Sequence, residues 1–150
     1  MDVRDWLYLE TDDSCATCGA RGDHLLTIHH IDGDRSNNAY DNQIVLCHNC
    51  HEPYHQKSRQ KGTISVIQVT ERKRRLIMKT LTQYGVNALK MASRNEFGMV
   101  AMAFLLYHLV GLGYMKQEEG IIQYGEQRDF ALNRFTITAE GRQLADRWLR

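Results

Sequence analysis

Apolar residues follow different patterns in the two parts of the chain, and the first part indicates short strands and turns. Short apolar segments at residues 25–28 and 43–46 lie within stretches dense in Gly, Asn, Cys and His, which predicts two β-strands joined by a polar loop. Residues 1–13 carry apolar side chains at mixed spacing, which predicts a short packed helix or a turn. A further helix is expected from about Tyr54, with a basic tail that stops at Gly62.

The next apolar segment, residues 63–69, is predicted to be a strand or a strand-like linker. We therefore place a domain boundary there and expect one domain over residues 1–62 and a second over residues 63–150. Beyond the boundary, apolar residues recur at helical spacing, and Thr70 is a suitable N-cap for the helix. A short second helix is expected around residues 86–92.

The last third of the chain combines helix-start signals with β-rich segments. Ser93 and Glu96 have the spacing of a capping box, which predicts a helix that is apolar on several sides and ends near Gly111. Two β-rich segments flank residues 125–128 and predict a hairpin, and Thr138 is expected to cap a final helix. The sequence thus predicts an α+β protein whose C-terminal domain is mainly helical and carries a β-hairpin.

The hydropathy of the chain and the character of its first residues indicate the cellular location of the protein. No apolar run reaches the roughly 18 residues that a membrane-spanning helix needs. The acidic residues 1–13 lack the apolar segment of a signal peptide. We expect no membrane association and a cytoplasmic protein, in which disulfide bonds between the four cysteines are disfavoured.

Charge is distributed unevenly, although the net charge is only +1. Residues 1–55 hold ten acidic residues and three arginines, whereas residues 56–150 hold sixteen Lys and Arg against eight acidic residues. Such asymmetry is typical of a metal-binding or catalytic module joined to a surface that binds a polyanion. A chance imbalance between solvated faces is the other interpretation.

The four cysteines form two C-x-x-C pairs, Cys15 with Cys18 and Cys47 with Cys50. Each pair can supply one edge of a tetrahedron, and two pairs complete a structural zinc site with four thiolate ligands. Such a site would stabilise a small module that cannot build a large core alone. A redox-active cysteine pair is expected within a βαβ unit, which the sequence pattern lacks. Unrelated free thiols are the remaining alternative.

Histidines are concentrated beside the second cysteine pair. If a helix starts near His51, then His51 and His55 lie one turn apart on the same face and can share a metal ion. His29 would add a third ligand from the facing hairpin. Its neighbour His30 points elsewhere, because adjacent strand residues face opposite sides, and a histidine next to a metal is suited to act as a general base.

These residues resemble the HNH nucleases, also called ββα-metal or His-Me finger nucleases. The resemblance covers roughly residues 12–58 and is carried by "CATC" and "IHHIDGDRSNNAYDNQIVLCHNCHEPYH" in that order. It implies that His29, His51 and His55 bind the catalytic metal and that His30 activates water. It also implies that Asn42 braces the loop and orients the base.

The activity that the resemblance implies is hydrolysis of DNA phosphodiester bonds by a one-metal mechanism. The cofactors would be a structural zinc ion and a catalytic divalent ion, Mg²⁺, Mn²⁺, Ni²⁺ or Zn²⁺. Arg35 is a candidate phosphate contact, or else a solvated loop residue. The alternative function is a catalytically inactive, zinc-stabilised protein that binds DNA or acts as a regulator.

Cations flank the predicted boundary and are candidates for DNA backbone contacts. They are Lys57, Arg59, Lys61, Arg72, Lys73, Arg74 and Arg75. A solvated helix face is the alternative interpretation.

The C-terminal part, from about residue 71 to residue 150, resembles a winged-helix domain. The segments "HLVGLGYM" and "RFTITAEGRQLADRW" carry this resemblance. It implies DNA binding, but the helix expected to enter the groove offers few donors beyond Arg94 and Asn95, whereas Arg128 and Arg134 lie on the expected wing. DNA binding and homodimerisation are the two alternative roles expected for this domain.

Overall fold

The computed structural model describes residues 1–55, 65–95, 97–122 and 132–149. The chain divides into two compact units, residues 1–80 (unit 1) and residues 81–150 (unit 2). The helices are α1 (Val3–Thr11), α2 (His48–His55), α3 (Val66–Arg94), α4 (Ala103–Gly111) and α5 (Ala139–Trp148), and the strands are β1 (Leu26–His30), β2 (Gln43–Cys47), β3 (Met99–Met102), β4 (Met115–Ile122) and β5 (Leu132–Ile137). The expected mixed α+β fold is confirmed.

Unit 1 is built on an antiparallel hairpin of β1 and β2. Opposite residues along it include His29 with Ile44 and His30 with Gln43. Every residue of β2 is buried, and both α1 and α2 contact this strand. The strands predicted at residues 25–28 and 43–46 are therefore confirmed, and α2 follows β2 without a gap.

Two helices of unit 1 begin with capping boxes. Asp2 and Asp5 each accept the backbone N–H of the other at 2.9 Å, which starts α1. In the same way, the Ser65 hydroxyl accepts from the backbone of Gln68 at 3.2 Å, and the Gln68 side chain accepts from the backbone of Ser65 at 2.9 Å. The prediction of a strand or linker before Thr70 is thus wrong for the described residues, because this capping pair starts α3 at Val66.

The division between the units falls later than the predicted boundary at Gly62. Unit 1 continues to Thr80, so it includes the first half of α3. Shortly after the division, Thr82 has non-helical backbone angles (φ 58°, ψ 164°). Its hydroxyl accepts the N–H of Gly85 at 3.3 Å, which starts the second helical stretch within α3.

A buried cluster of Glu10, Tyr40 and Lys73 ties α3 into unit 1. Lys73 Nζ lies 2.7 Å from Glu10 Oε1 and 3.7 Å from the centre of the Tyr40 ring, and the Tyr40 hydroxyl donates to the Glu10 carboxylate. Burial lowers the pKa of Lys73 to about 8 and raises the pKa of Glu10, while the attraction between the two groups opposes both shifts. The prediction that Lys73 binds nucleic acid is wrong, because its side chain is fully buried.

Replacing Lys73 with methionine is expected to lower the free energy of unfolding by about 3–5 kcal/mol, because Glu10 would stay buried without its cation. Arg72→Met changes an exposed residue of the same helix and is the matched control, with an expected effect below about 0.5 kcal/mol. Urea unfolding of both variants and the wild type measures the difference. Equal effects of the two substitutions would contradict a stabilising role for the ion pair.

Unit 2 contains a three-stranded antiparallel sheet with the order β3–β5–β4. The prediction that a capping box at Ser93 leads directly into a helix is wrong. Ser93 lies in the last turn of α3, where its hydroxyl donates to the Lys90 carbonyl at 2.9 Å, and Glu96 lies outside the described residues. Met99–Met102 instead pairs with β5, so this backbone is satisfied in a sheet before α4 begins.

The C-terminal helix follows its prediction. Thr138 precedes α5, and its hydroxyl accepts the N–H of Gly141 at 3.0 Å, which confirms the expected N-cap. Strands β4 and β5 pair antiparallel, as a hairpin requires, but the predicted tip at residues 125–128, with Arg128, lies outside the described residues.

The longest apolar run, residues 99–115, is divided among β3, α4 and the start of β4. Within it, His108 is half-buried, and its Nε2–H donates to the Leu81 carbonyl at 3.0 Å, as expected of a core histidine. Burial lowers the pKa of His108. In the part of the chain that the structure describes, no helix has both the length and the apolar character needed to cross a membrane.

Candidate metal centre and histidine pocket

The two cysteine pairs meet beside the hairpin of unit 1. Cys15 and Cys18 lie in the turn after α1, Cys47 ends β2, and Cys50 lies in the first turn of α2. Their four Sγ atoms all lie within 4.8 Å of one another, and the sulfurs of Cys18 and Cys47 are 3.6 Å apart. The prediction that the four cysteines come together is confirmed, and the cluster can hold a metal ion such as zinc.

Backbone hydrogen bonds place the first pair. The N–H of Cys15 donates to Ala20 O at 2.8 Å, and the N–H of Gly19 donates to Cys15 O at 2.9 Å. Gly19 has φ 73°, a left-handed conformation that glycine adopts without steric cost. The N–H of Ala16 donates to Val45 O at 2.9 Å and fixes the turn to β2, so the sulfurs are positioned by the fold as well as by any bound ion.

The electrostatics of the cluster favour a bound cation. Burial disfavours the Cys15 thiolate, but N–H groups of Cys18, Cys47 and Thr17 donate to it and lower its pKa to about 7. Burial and the neighbouring sulfurs raise the pKa of Cys50 well above its usual value. Four adjacent thiolates therefore need a positive charge between them. Zinc–sulfur bonds of about 2.3 Å in a tetrahedron separate the sulfurs by about 3.8 Å, close to the spacing of Cys18 and Cys47.

A pair of histidines lies next to this centre. The ring centres of His29, on β1, and His51, on α2, are 5.2 Å apart, and the ring planes are inclined by 77°. His29 is 1% exposed, and both rings line a pocket of about 240 Å³ to which His30 and Arg35 also contribute. His55, the predicted third ligand, ends α2, but its side chain lies outside what the structure describes.

The ring of His30 is held by two amide side chains. Its Nε2 lies 3.1 Å from Asn38 Oδ1 and 3.0 Å from Gln43 Nε2. These two amides are also hydrogen-bonded to each other, with Gln43 Nε2 donating to Asn38 Oδ1 at 3.1 Å. Neither residue was predicted from the sequence. The signal for Gln43 was its place at the start of the second strand, because an antiparallel hairpin sets that residue opposite His30.

Asn42 is buried and holds the loop that follows His30. Its Oδ1 accepts from the N–H of Asp32 at 3.2 Å, and its Nδ2 donates to Asp32 Oδ1 at 2.9 Å and to Asn37 O at 3.0 Å. Its backbone carbonyl accepts from the N–H of Ile31 at 2.8 Å. Asn42 thus acts on the loop, whereas the side chains bonded to the His30 ring are those of Asn38 and Gln43.

The predicted phosphate contacts have different surroundings. Arg35 is exposed at the rim of the histidine pocket, and Arg72, Arg74 and Arg75 are exposed on α3. Lys73, between them in sequence, is buried against Glu10. The remaining predicted contacts, Lys57, Arg59 and Lys61, lie outside the described residues.

Comparisons of the chain with protein-family models, with curated proteins and with solved structures found no match. The function is therefore inferred from the residues of the metal centre and the histidine pocket.

Proposed function

We propose that unit 1 is a metal-dependent HNH endonuclease module that hydrolyses DNA phosphodiester bonds by a one-metal mechanism. One observation carries the proposal: the rings of His29 and His51 lie 5.2 Å apart, and His30 lines the same pocket. The element order β1, β2, α2 supports it, because this is the ββα arrangement that the HNH resemblance implies.

The histidine pair fits a shared divalent cation such as Mg²⁺, Mn²⁺, Ni²⁺ or Zn²⁺. Two imidazoles bound to one zinc ion, with Zn–N bonds of about 2.0–2.1 Å, have ring centres about 5 Å apart. Such a cation would stabilise the negative charge that develops on the phosphate during hydrolysis. His29 is buried in the sheet, so its ring is held in place before the cation binds.

The other pocket residues supply proton transfer and substrate contacts. A neutral His30 accepts a proton from the water that attacks phosphorus. Arg35, at the pocket rim, donates hydrogen bonds to a phosphate of the bound strand. The exposed arginines of α3, Arg72, Arg74 and Arg75, contact phosphates without reading sequence.

Unit 2 is proposed as a winged-helix-like accessory domain. The order of α4, the antiparallel strands β4 and β5, and the capped helix α5 supports the winged-helix resemblance. On α4, Phe104 and Tyr107 are 72% and 61% exposed. These apolar side chains favour a homodimer contact over groove reading. Sedimentation equilibrium of the full chain tests for the dimer.

The test of the nuclease proposal is cleavage of supercoiled plasmid by the zinc-loaded protein. We expect nicking that requires added Mg²⁺, Mn²⁺ or Ni²⁺, stops with EDTA, and is lost in His51→Ala, which removes a proposed metal ligand. His24→Ala, an exposed histidine outside the pocket, is the matched control and should cleave like the wild type.

The outcomes of this assay separate the two function classes. If the zinc-loaded protein binds DNA but cleaves none with any of these metals, the inactive DNA-binding or regulatory alternative replaces the nuclease proposal. Equal cleavage by wild type and His51→Ala would rule out the proposed metal site. Zinc analysis of each sample after EDTA treatment shows whether the cysteine centre has been kept.

A further inference from the structure

Three hydrogen-bonding atoms meet at one edge of the His30 ring. Gln43 is 7% exposed and begins β2, so its side chain has little freedom to turn away from His30 on the opposite strand. Asn38 comes from the loop between the strands. The separations among His30 Nε2, Asn38 Oδ1 and Gln43 Nε2 are 3.0, 3.1 and 3.1 Å, so the three atoms form a nearly equilateral triangle with angles of about 60°.

We propose that Asn38 and Gln43 are positioning residues that hold neutral His30 in the tautomer with its hydrogen on Nε2. The nitrogen that accepts a proton is then Nδ1. The catalytic meaning of this assignment rests on the proposed nuclease function, whereas the tautomer itself can be observed without DNA.

One proton arrangement fits the triangle better than the other. When Nε2 carries a hydrogen, both His30 and Gln43 donate to Asn38 Oδ1, and a carbonyl oxygen has two lone pairs that accept over a broad range of directions. In the other tautomer, Gln43 would have to donate to His30 and to Asn38 at once. The two hydrogens of a planar amide nitrogen diverge by about 120°, which is twice the angle between these acceptors.

Electrostatic repulsion also disfavours the tautomer with its hydrogen on Nδ1. With no hydrogen on Nε2, the lone pair of His30 would face the lone pairs of Asn38 Oδ1 at 3.1 Å. The two atoms would repel each other, and neither would gain a hydrogen bond from this contact.

The same tautomer of His30 is favoured when the two amide groups are turned by 180°. If both amides are reversed, Gln43 supplies the oxygen, and His30 and Asn38 supply the two donors, so the hydrogen remains on Nε2. If only Asn38 is reversed, the N–H groups of both amides would share the single lone pair of Nε2, whereas a carbonyl oxygen offers one lone pair to each donor. If only Gln43 is reversed, two oxygens lie side by side and share the one hydrogen on Nε2, so they repel each other. Each satisfied arrangement therefore has one oxygen that accepts from two nitrogens.

This network has a consequence for the pocket. His30 lines the same pocket as His29 and His51, and Asn38 and Gln43 engage its Nε2 side. The lone pair of Nδ1 is then available to water. In a ring that turned or exchanged tautomers, this nitrogen would be available for only part of the time, which lowers kcat without weakening DNA binding.

The test is nitrogen-15 NMR of the histidine side chains in the zinc-loaded full chain, at a pH where imidazole is neutral. We expect wild-type His30 to show a protonated Nε2, an unprotonated Nδ1 and a slowly exchanging Nε2 hydrogen. In Asn38→Ala/Gln43→Leu we expect averaged shifts from both tautomers and fast exchange. Ser36→Ala, which removes only a hydroxyl bonded to Asp34 in the same loop, should keep the wild-type spectrum.

Cleavage kinetics supply a second readout. We expect Asn38→Ala to lower kcat about 10-fold with KM unchanged, and Asn38→Asp, which keeps an accepting oxygen, to restore most of the rate. A wild-type His30 with its hydrogen on Nδ1, or a wild-type spectrum in the double variant, would overturn the proposal even if the protein cleaves DNA. If the protein shows the expected spectra but cleaves no DNA, the tautomer assignment is supported and only the proposed nuclease function is refuted.

Discussion

Replacing Cys47 with serine is expected to abolish zinc binding by the cysteine cluster and to unfold unit 1. Cys47 is buried at the end of β2, and its sulfur lies 3.6 Å from that of Cys18. Structural zinc sites contribute an apparent free energy on the order of 10 kcal/mol, about as much as the whole stability of a typical domain. Loss of one ligand from such a site therefore removes most of what keeps the unit folded.

The wild-type protein should contain about one tightly bound zinc ion per chain, and Cys47→Ser should contain almost none. Elemental analysis gives the zinc content, and circular dichroism with urea unfolding gives the loss of structure. In the wild type, zinc should leave only as the protein unfolds, whereas an ion in the histidine pocket should exchange readily.

Thr17→Val is the matched control for this prediction. Thr17 lies between Cys15 and Cys18, and its buried hydroxyl has no hydrogen-bond partner among the described residues. Valine has the same shape without the hydroxyl, so zinc content and stability should be kept or slightly improved. A folded wild-type protein without zinc, or a Cys47→Ser protein as stable as Thr17→Val, would refute the structural role of the cysteine cluster.

Replacing His30 with alanine is expected to lower kcat for DNA cleavage by about 10²–10⁴-fold, the range for loss of a general base. Zinc content and unfolding free energy should stay close to wild type, because His30 is only half-buried and is not a member of the cysteine cluster. DNA affinity should also be kept, because the proposed role of His30 is confined to the chemical step.

Initial rates of plasmid nicking at saturating metal measure this effect, and a DNA-binding titration without metal controls for affinity. Added imidazole should restore part of the rate in His30→Ala, because it can occupy the space of the missing ring and accept the proton. Cleavage by His30→Ala at the wild-type rate would exclude this residue as the base, even if the metal dependence of the reaction persists.

Local sequence signals determined much of unit 1 and the last helix of unit 2. The strands containing His29 and Ile44 follow from short apolar segments set among turn-forming residues, and the cysteine spacing indicated the metal cluster. The Thr138 cap is equally local, because its partner Gly141 is only three residues away. The strands, the Thr138 cap and each C-x-x-C turn depend on neighbours within a few positions, which is the distance over which sequence patterns are informative. The two cysteine pairs are 29 residues apart, and the β-hairpin brings them together.

Other features were decided only by tertiary contacts. Lys73 belongs to a basic run, which is typical of a solvent-exposed helix face. Glu10, 63 residues earlier in the chain, nevertheless pairs with it in the core. The strand at Met99–Met102 exists because β5 pairs with it, and an isolated apolar segment can form a helix equally well.

The same contrast holds for the proposed metal ligands and the side chains that surround them. Residue type and spacing indicated the cysteine cluster and the proposed histidine ligands, because few side chains bind metals and a C-x-x-C turn fixes its own geometry. The amides that hold His30 could not be found in this way, because Asn and Gln occur throughout loops and strand ends and only the pairing of the two strands brings Gln43 opposite His30. The sequence thus specified the groups of the proposed chemistry, and the hairpin register and core packing specified which side chains lie against them.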